Sequence, residues 1–242
     1  LRVLARKLSG EAKPPVIPRA KVSKVPIPGV KNVILVASAK GGVGKSSISV
    51  NLATSLQKLN AQIMSMGCLV PAESAVVWRG LMVMSATKQL LHQVSWGELD
   101  YLIVDTPPGT GDVQLSIAQN TIVSGALIVT TPQQVSISDA RRGIKMFKTL
   151  EIPMIGLAEN MSHLTCPSCK TEINMFDETD RKEEGGQKLA QEVGIPFLTH
   201  LPWEPKLATC ADAGLPITKK FPEAPICRTF AELAGKVLDF CK

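Results

Sequence analysis

Short continuous apolar runs and longer helical stripes alternate along most of this chain. Residues 33–38, 101–104, 126–131, 154–159 and 197–201 read as strands, because runs of this length and composition suit strands buried on both faces. Apolar positions three or four apart mark helices near 45–58, 80–94, 113–119, 136–150, 184–193 and 227–241. Buried strands separated by helices predict an α/β fold, a mostly parallel sheet with helices on both faces. In such a sheet the loops that take ligands lie at the carboxyl ends of the strands. The last helix places Phe230, Leu233, Ala234, Val237, Leu238 and Cys241 at helical spacing, with only Arg228, Lys236 and Lys242 basic nearby. That pattern points to core packing rather than to a membrane surface.

The first predicted strand runs into a glycine-rich turn, Ala39-Lys40-Gly41-Gly42-Val43-Gly44-Lys45-Ser46-Ser47, and then into a helix. Glycines let the backbone wrap until its N–H groups point at phosphate oxygens, and the helix turns its positive end on the same charge. Lys45 is placed to reach the β- and γ-phosphates, and the Ser46 hydroxyl to reach Mg²⁺. The usual spacing fails only at its first glycine, which here is Ala39. A merely structural turn between strand and helix is the bland alternative. The second signal is Asp100 to Asp112, where apolar Leu102 to Val104 lead to Asp105 and then to Pro107-Pro108-Gly109. Asp105, at a strand end, is suited to hold the Mg²⁺ water shell opposite Ser46, and the stiff turn after it to sense a γ-phosphate. Asn160, just past another strand, offers a side-chain amide to an adenine edge, although a strand-end asparagine turn explains it as well.

Charge and length change the picture at the N-terminus. The chain has 242 residues and a formal charge of +6, yet residues 1–40 hold nine Lys and Arg against the single acid Glu11. The rest is slightly acidic, which argues against nucleic acid as a partner. Residues 1–28 therefore read as a basic, proline-rich extension and residues 29–242 as one domain. Leu1, Leu4 and Leu8 share a helical face with Arg2, Arg6 and Lys7 between them, the pattern of a mitochondrial presequence; a solvated basic tail is the alternative. The longest apolar runs are far short of the roughly 20 residues of a membrane-spanning helix.

Six cysteines are too sparse for a secreted disulfide scaffold. Cys68, Cys210, Cys227 and Cys241 are scattered, but Cys166 and Cys169 form a Cys-Pro-Ser-Cys turn in a polar loop near 162–182. Two thiolates do not complete a site. A tetrahedral zinc or a cubane cluster takes about four ligands, and His163 is the sole nearby candidate for a third. A twofold dimer would supply two cysteines from each chain and place the metal on the axis. Soft thiolates do not choose between zinc and iron–sulfur, and a redox pair is a further alternative.

The loop from Lys40 to Ser46 resembles the deviant P-loop of the MinD, ParA and nitrogenase-iron-protein group. Together with Val77-Trp78-Arg79-Gly80, Val104 to Asp112, Glu159-Asn160-Met161-Ser162 and Cys166 to Cys169, it resembles the Mrp family of ATP-binding iron–sulfur carriers over about residues 29–242. The resemblance implies a MinD/ParA-like P-loop ATPase fold and a homodimer in which Lys40 crosses to the partner's nucleotide as a catalytic lysine. It further implies ATP and Mg²⁺ as ligands, with a [4Fe–4S] cluster held by Cys166 and Cys169 across the dimer. The cluster would be delivered to mitochondrial apoproteins, those of respiratory complex I foremost, in the matrix.

One part of the family pattern is missing. From Ala12 to Ala72 the chain holds no Asp or Glu, and the helix after the P-loop, ending near Leu59-Asn60, joins directly to Gln62 to Val70. Family members carry an acidic Asp-x-Asp segment there, which positions the attacking water. The expectation is a fold lacking an element after this helix, including a strand beside the P-loop strand, with ATP bound but hydrolysis impaired. A non-catalytic iron–sulfur binding or assembly module is therefore the alternative function.

Overall fold

The computed structural model describes residues 24–56, 61–65, 81–109, 111–166, 168–169, 171–174, 176 and 185–242. The presequence candidate and the stretch from Val77 to Arg79 lie outside the described residues. The main sheet consists of β1 (Val30–Ala37), β2 (Ala61–Ser65), β3 (Leu99–Asp105), β4 (Gly125–Thr130), β5 (Met154–Glu159) and β8 (Phe197–His200). Its order is β2-β3-β1-β4-β5-β8, and every pair is parallel. A separate two-stranded hairpin, β6 (Leu164–Thr165) with β7 (Glu172–Ile173), lies between β5 and β8 in sequence. The helices are α1 (Lys45–Ser55), α2 (Leu81–His92), α3 (Asp112–Asn120), α4 (Gln134–Thr149), α5 (Gly186–Val193), α6 (Pro205–Asp212), α7 (Ile217–Lys220) and α8 (Pro225–Phe240).

Alternation along the strands divides the core in two. Val33, Leu35, Leu102, Val104 and Ile128 face one apolar layer closed by α2, α3, α4 and α5. Ile34, Val36, Ile103, Leu127 and Val129 face the other, closed by α1 and α8. In α8, Phe230, Leu233, Ala234 and Val237 are buried in this second layer, with Leu238 and Cys241 packed at its rim, so the last helix is a core element. Sealing both faces leaves the strand ends as the place where polar side chains gather.

Three sequence expectations need revision. The strand flanking β1 is not lost: β1 pairs with β3 on one side and β4 on the other. Among the described residues, the strand after α1 lies instead at the sheet edge, paired with β3, Ala61 to Ser65 against Tyr101 to Asp105. The polar loop expected after β5 contains the hairpin, whose two-residue strands are too short for alternation to reveal. The folded unit also begins before residue 29. Val25 N–H donates to Asn120 O at 2.9 Å and Ile122 N–H to Val25 O at 3.1 Å, while Ile27 is buried.

Replacing Phe230 with alanine removes a fully buried ring from the layer between α8 and the sheet. The expected loss is about 3–5 kcal/mol of unfolding free energy, read by urea denaturation. A loss below about 1 kcal/mol would show that α8 is not a core element.

Candidate functional site

β1 ends at Ala37, and the chain crosses the sheet edge through residues 38–44 before α1 begins. Helix α1 starts with Gly44 as its N-cap, at φ 80° and ψ 20°, a left-handed conformation that favours glycine. The loop is tied to its neighbours: Gly109 N–H donates to Ser38 O at 3.0 Å and the Ser38 hydroxyl to Lys40 O at 3.0 Å. The Thr106 hydroxyl donates to Val36 O at 3.0 Å, and the Gln114 amide to Pro107 O at 2.7 Å. The turn after β3 is thereby fastened both to the loop strand and to α3.

Lys45 and Asp105 are both buried, and the Lys45 ammonium is paired with the Asp105 carboxylate. Ser46 Oγ donates to the other carboxylate oxygen at 2.7 Å, and Ser49 Oγ lies 3.3 Å from the first. A buried charge needs a partner. Here the lysine suited to phosphate and the carboxylate suited to a Mg²⁺ shell neutralise one another. Phosphate offers the lysine a replacement anion, and Mg²⁺ offers Asp105 and Ser46 a replacement cation. The sequence placed Ser46 and Asp105 together and the structure brings them into contact; Ser49, one turn further along α1, joins them unpredicted.

Ala39, Gly41, Gly42, Val43 and Ser47 complete the loop and the first turn of α1, Val43 buried and Gly41 and Gly42 exposed. Lys40 is half-buried, and its ammonium lies 3.3 Å from Gln133 Oε1, at the N-cap of α4. Asn160, expected at an adenine edge, is buried, and its Nδ2 donates to Val43 O at 2.9 Å. Beside it Glu159 is also buried. Its carboxylate accepts from Gly186 N–H at 2.5 Å and faces His200 Nδ1 at 3.0 Å, capping α5 and tying it to β8. Glu159 stands next to Asn160 in the sequence, and no local pattern there signals this capping role.

The cysteines stand at the tip of the β6–β7 hairpin. Cys166 N–H donates to Thr171 O at 2.9 Å, extending the ladder that pairs Leu164 with Ile173 and Thr165 with Glu172. Cys169 is exposed, its Sγ 3.2 Å from Thr171 Oγ1. Hydrogen bonding from Thr171, aided by Cys166, brings the Cys169 thiol down to about 7. The hairpin's root is fixed as well: Ser162 N–H and Oγ both donate to Leu201 O at 3.0 Å, and Trp203 N–H donates to His163 O at 2.7 Å. His163, the candidate third ligand, has Nδ1 2.9 Å from Ser162 Oγ and Nε2 3.9 Å from Glu172. Among the described residues no group of three or more His, Cys, Asp or Glu side chains gathers for a metal ion. Among the described residues, the hairpin thus presents two thiols, those of Cys166 and Cys169.

A glycine-rich loop on the central strand of a parallel sheet, with a buried lysine and an aspartate at the neighbouring strand's end, defines a P-loop nucleotide-binding protein. Comparison with known proteins narrows the class. The family model for the NUBPL iron-transfer P-loop NTPases, of the ParA group, matches residues 29–64 and 58–238, and the chain belongs to that family. It is 38% identical to the mouse iron–sulfur cluster transfer protein NUBPL, covering 92% of this chain and 82% of the relative. It is 36% identical to the Arabidopsis thaliana iron–sulfur protein required for NADH dehydrogenase, mitochondrial, covering 90% and 81%. An Archaeoglobus fulgidus nucleotide-binding protein solved with ADP superposes with TM-score 0.63 at 30% identity, over 77% of this chain and 87% of that one. The Pyrococcus furiosus cell division ATPase MinD, at 17% identity and TM-score 0.61, shares the fold over 86% of this chain and 99% of its own. The mouse alignment runs over 265 positions, more than the 242 residues of this chain, so the relative has residues without a counterpart here. The two stretches of the family match meet at residues 58–64, where α1 gives way to β2.

The exposed thiol yields a pH prediction. Lowering of the Cys169 thiol to about 7 leaves about half of it ionised at neutrality. Its alkylation rate should therefore rise through a midpoint near 7 as pH increases, while Cys227, whose thiol is pushed up by burial, stays slow. Thr171→Val should move the Cys169 midpoint upward. Iodoacetamide labelling followed by peptide mass spectrometry reads both; a wild-type midpoint at or above about 8.5, the free-cysteine value, contradicts the geometry.

Proposed function

We propose that this chain is an ATP-binding carrier of a [4Fe–4S] cluster, acting as a twofold homodimer that passes the cluster to mitochondrial iron–sulfur apoproteins. The observation that carries the reading is the Cys166–Cys169 hairpin, Cys169 exposed and Cys166 half-buried, rooted next to a P-loop. A cubane cluster is held by four thiolates, and one chain offers two on this hairpin. Two copies about a symmetry axis supply four, with the cluster between the hairpins as cargo. Exposure of the hairpin suits transfer, since an acceptor's thiolates can reach the cluster without unfolding the carrier. The names of the mouse and Arabidopsis relatives support cluster transfer and point to NADH dehydrogenase, respiratory complex I, as acceptor. The name of the Arabidopsis relative supports placement in mitochondria, and we assign the matrix.

In this reading residues 39–47 bind the phosphates of ATP, Lys45 foremost, and Asn160 completes the nucleotide site from the end of β5. Ser46 and Asp105 serve Mg²⁺ once Lys45 has turned to phosphate. Lys40, beside Gln133 within one chain, would cross to the partner's nucleotide in the dimer.

A second reading rests on the two-part family match. No acid lies between Ala12 and Ala72, so the water-positioning carboxylate expected after α1 has no source there. Asp105 is committed to the Mg²⁺ position, and Asp139 is paired with Arg142 on α4. ATP would then act as a bound ligand with little turnover, and the chain as a non-catalytic cluster-binding module.

The two chemistries sit on separate loops, so they should separate by mutation. Lys45→Ala should lose Mg-ATP binding by calorimetry and keep the cluster after anaerobic reconstitution, while Cys166→Ala/Cys169→Ala does the reverse. Unchanged ATP affinity in the first variant, or a cluster persisting in the second, refutes the assignment.

Turnover decides between carrier ATPase and binding module. Phosphate release at saturating Mg-ATP should be about 10²-fold or more below that of a version with the family's acidic segment inserted between Asn60 and Gln62, the range a water-positioning group supplies. Equal turnover would restore the ATPase reading.

A further inference from the structure

Asn160 sits where the side chain of a β5-end residue meets the underside of the phosphate loop. Its Nδ2 donates to Val43 O at 2.9 Å, and only the amide nitrogen can face a carbonyl in this way. The approach is close enough that a Cβ on Gly44 would stand 2.3 Å from the same nitrogen. Asn160 is itself a fixed post. Its backbone N–H donates to Thr130 O at 2.8 Å, and its neighbour Glu159 is held by Gly186 N–H, by His200 and, through its carbonyl, by Leu201 N–H at 2.8 Å.

The bond to Val43 O has a consequence on the opposite side of the same peptide. The Val43–Gly44 peptide is trans, since the described residues contain no cis bond, and in a planar trans peptide C=O and N–H point in opposite directions. Holding the Val43 carbonyl down on Asn160 therefore aims the Gly44 N–H the other way. Gly44 is the N-cap of α1, so its N–H belongs to the donors that a helix N-terminus turns on an anion.

We propose that Asn160 is a positioning residue for phosphate: by anchoring Val43 O it orients the Gly44 N–H toward the polyphosphate, and it serves the phosphates rather than reading the base. The proposal deepens the nucleotide-binding reading and rests on it. A base reader and a phosphate positioner differ in what they lose on mutation. Without the Nδ2 donor, the Val43–Gly44 peptide can rotate, and every ligand carrying phosphates loses the same donor whatever base it bears.

The test uses the full chain and three probes with Mg²⁺: ATP, GTP and inorganic tripolyphosphate, which has no base. Calorimetry on wild type, Asn160→Ala and Asn160→Asp, with folding checked by thermal melting, should show affinity for all three falling by a common factor of about fivefold, the size of one hydrogen bond. Loss of ATP affinity with tripolyphosphate unchanged overturns the proposal and makes Asn160 a base reader. If wild type binds none of the three, the nucleotide reading itself fails and the proposal with it. Should neither variant fold, amide exchange on wild type decides: tripolyphosphate should slow exchange at Gly44, and unchanged exchange there overturns the proposal.

Discussion

Parallel pairing of β1 with β3 on one flank and β4 on the other is the constraint from which the rest of the site follows. Parallel strands end on the same side of a sheet, so Ala37, Asp105, Thr130 and Glu159 all finish along one edge. Connections leaving β1 first build toward β3 and later ones build toward β4, which opens a crevice above β1. The glycine loop fills that crevice, Asp105 borders it from β3, and Asn160 borders it from beyond β4. With both sheet faces sealed by apolar helices, this edge is where buried polar groups such as Asp105, Thr106, Thr131, Glu159 and Asn160 accumulate.

Charge balance at this edge links the loop to its ligand. Asp105 accepts from Ser46 and Ser49 and faces Lys45, so its negative charge is compensated locally. No buried side-chain nitrogen or oxygen among the described residues lacks a partner. A magnesium nucleotide brings both charges needed to replace the internal pair, whereas either ion alone would leave one buried group uncompensated. At the other end of the β5 exit the chemistry is softer and more exposed: Cys169 lies in solvent with its thiol drawn toward ionisation by Thr171. The phosphate loop, held by Asn160, and the Cys166–Cys169 hairpin are thus joined by the few residues between Asn160 and Cys166.

The long apolar strands and the α4 and α8 stripes were legible in the sequence because their periodicity extends over many residues, whereas α1 was legible from the glycine loop that precedes it. Strand β5 was placed at residues 154–159, where the structure has it. The glycine-rich turn between β1 and α1, and the approach of Lys45 and Ser46 to Asp105, were legible because a strand–turn–helix of this spacing is a strong local pattern. What escaped had no such signal. Strand β2 was hidden because its five residues, Ala61–Ser65, carry too little local pattern, and its place beside β3 depends on the whole sheet. Helix α7, with four residues, is too short for a stripe, α6 buries Cys210 alone, and the hairpin strands have two residues each. Asn160's contact with Val43 and Glu159's cap on α5 join residues 117 and 27 positions apart, which no local pattern encodes.

The central claim is that each chain holds half a cluster site, completed by a second copy. Native mass spectrometry of anaerobically reconstituted protein tests this most directly, because it counts chains, iron and sulfide in one particle. The account predicts a species of two chains carrying one Fe₄S₄ unit, collapsing to metal-free chains in the Cys166→Ala/Cys169→Ala variant. A cluster on a single chain, or dimers holding zinc and no iron after strictly anaerobic isolation, would contradict it.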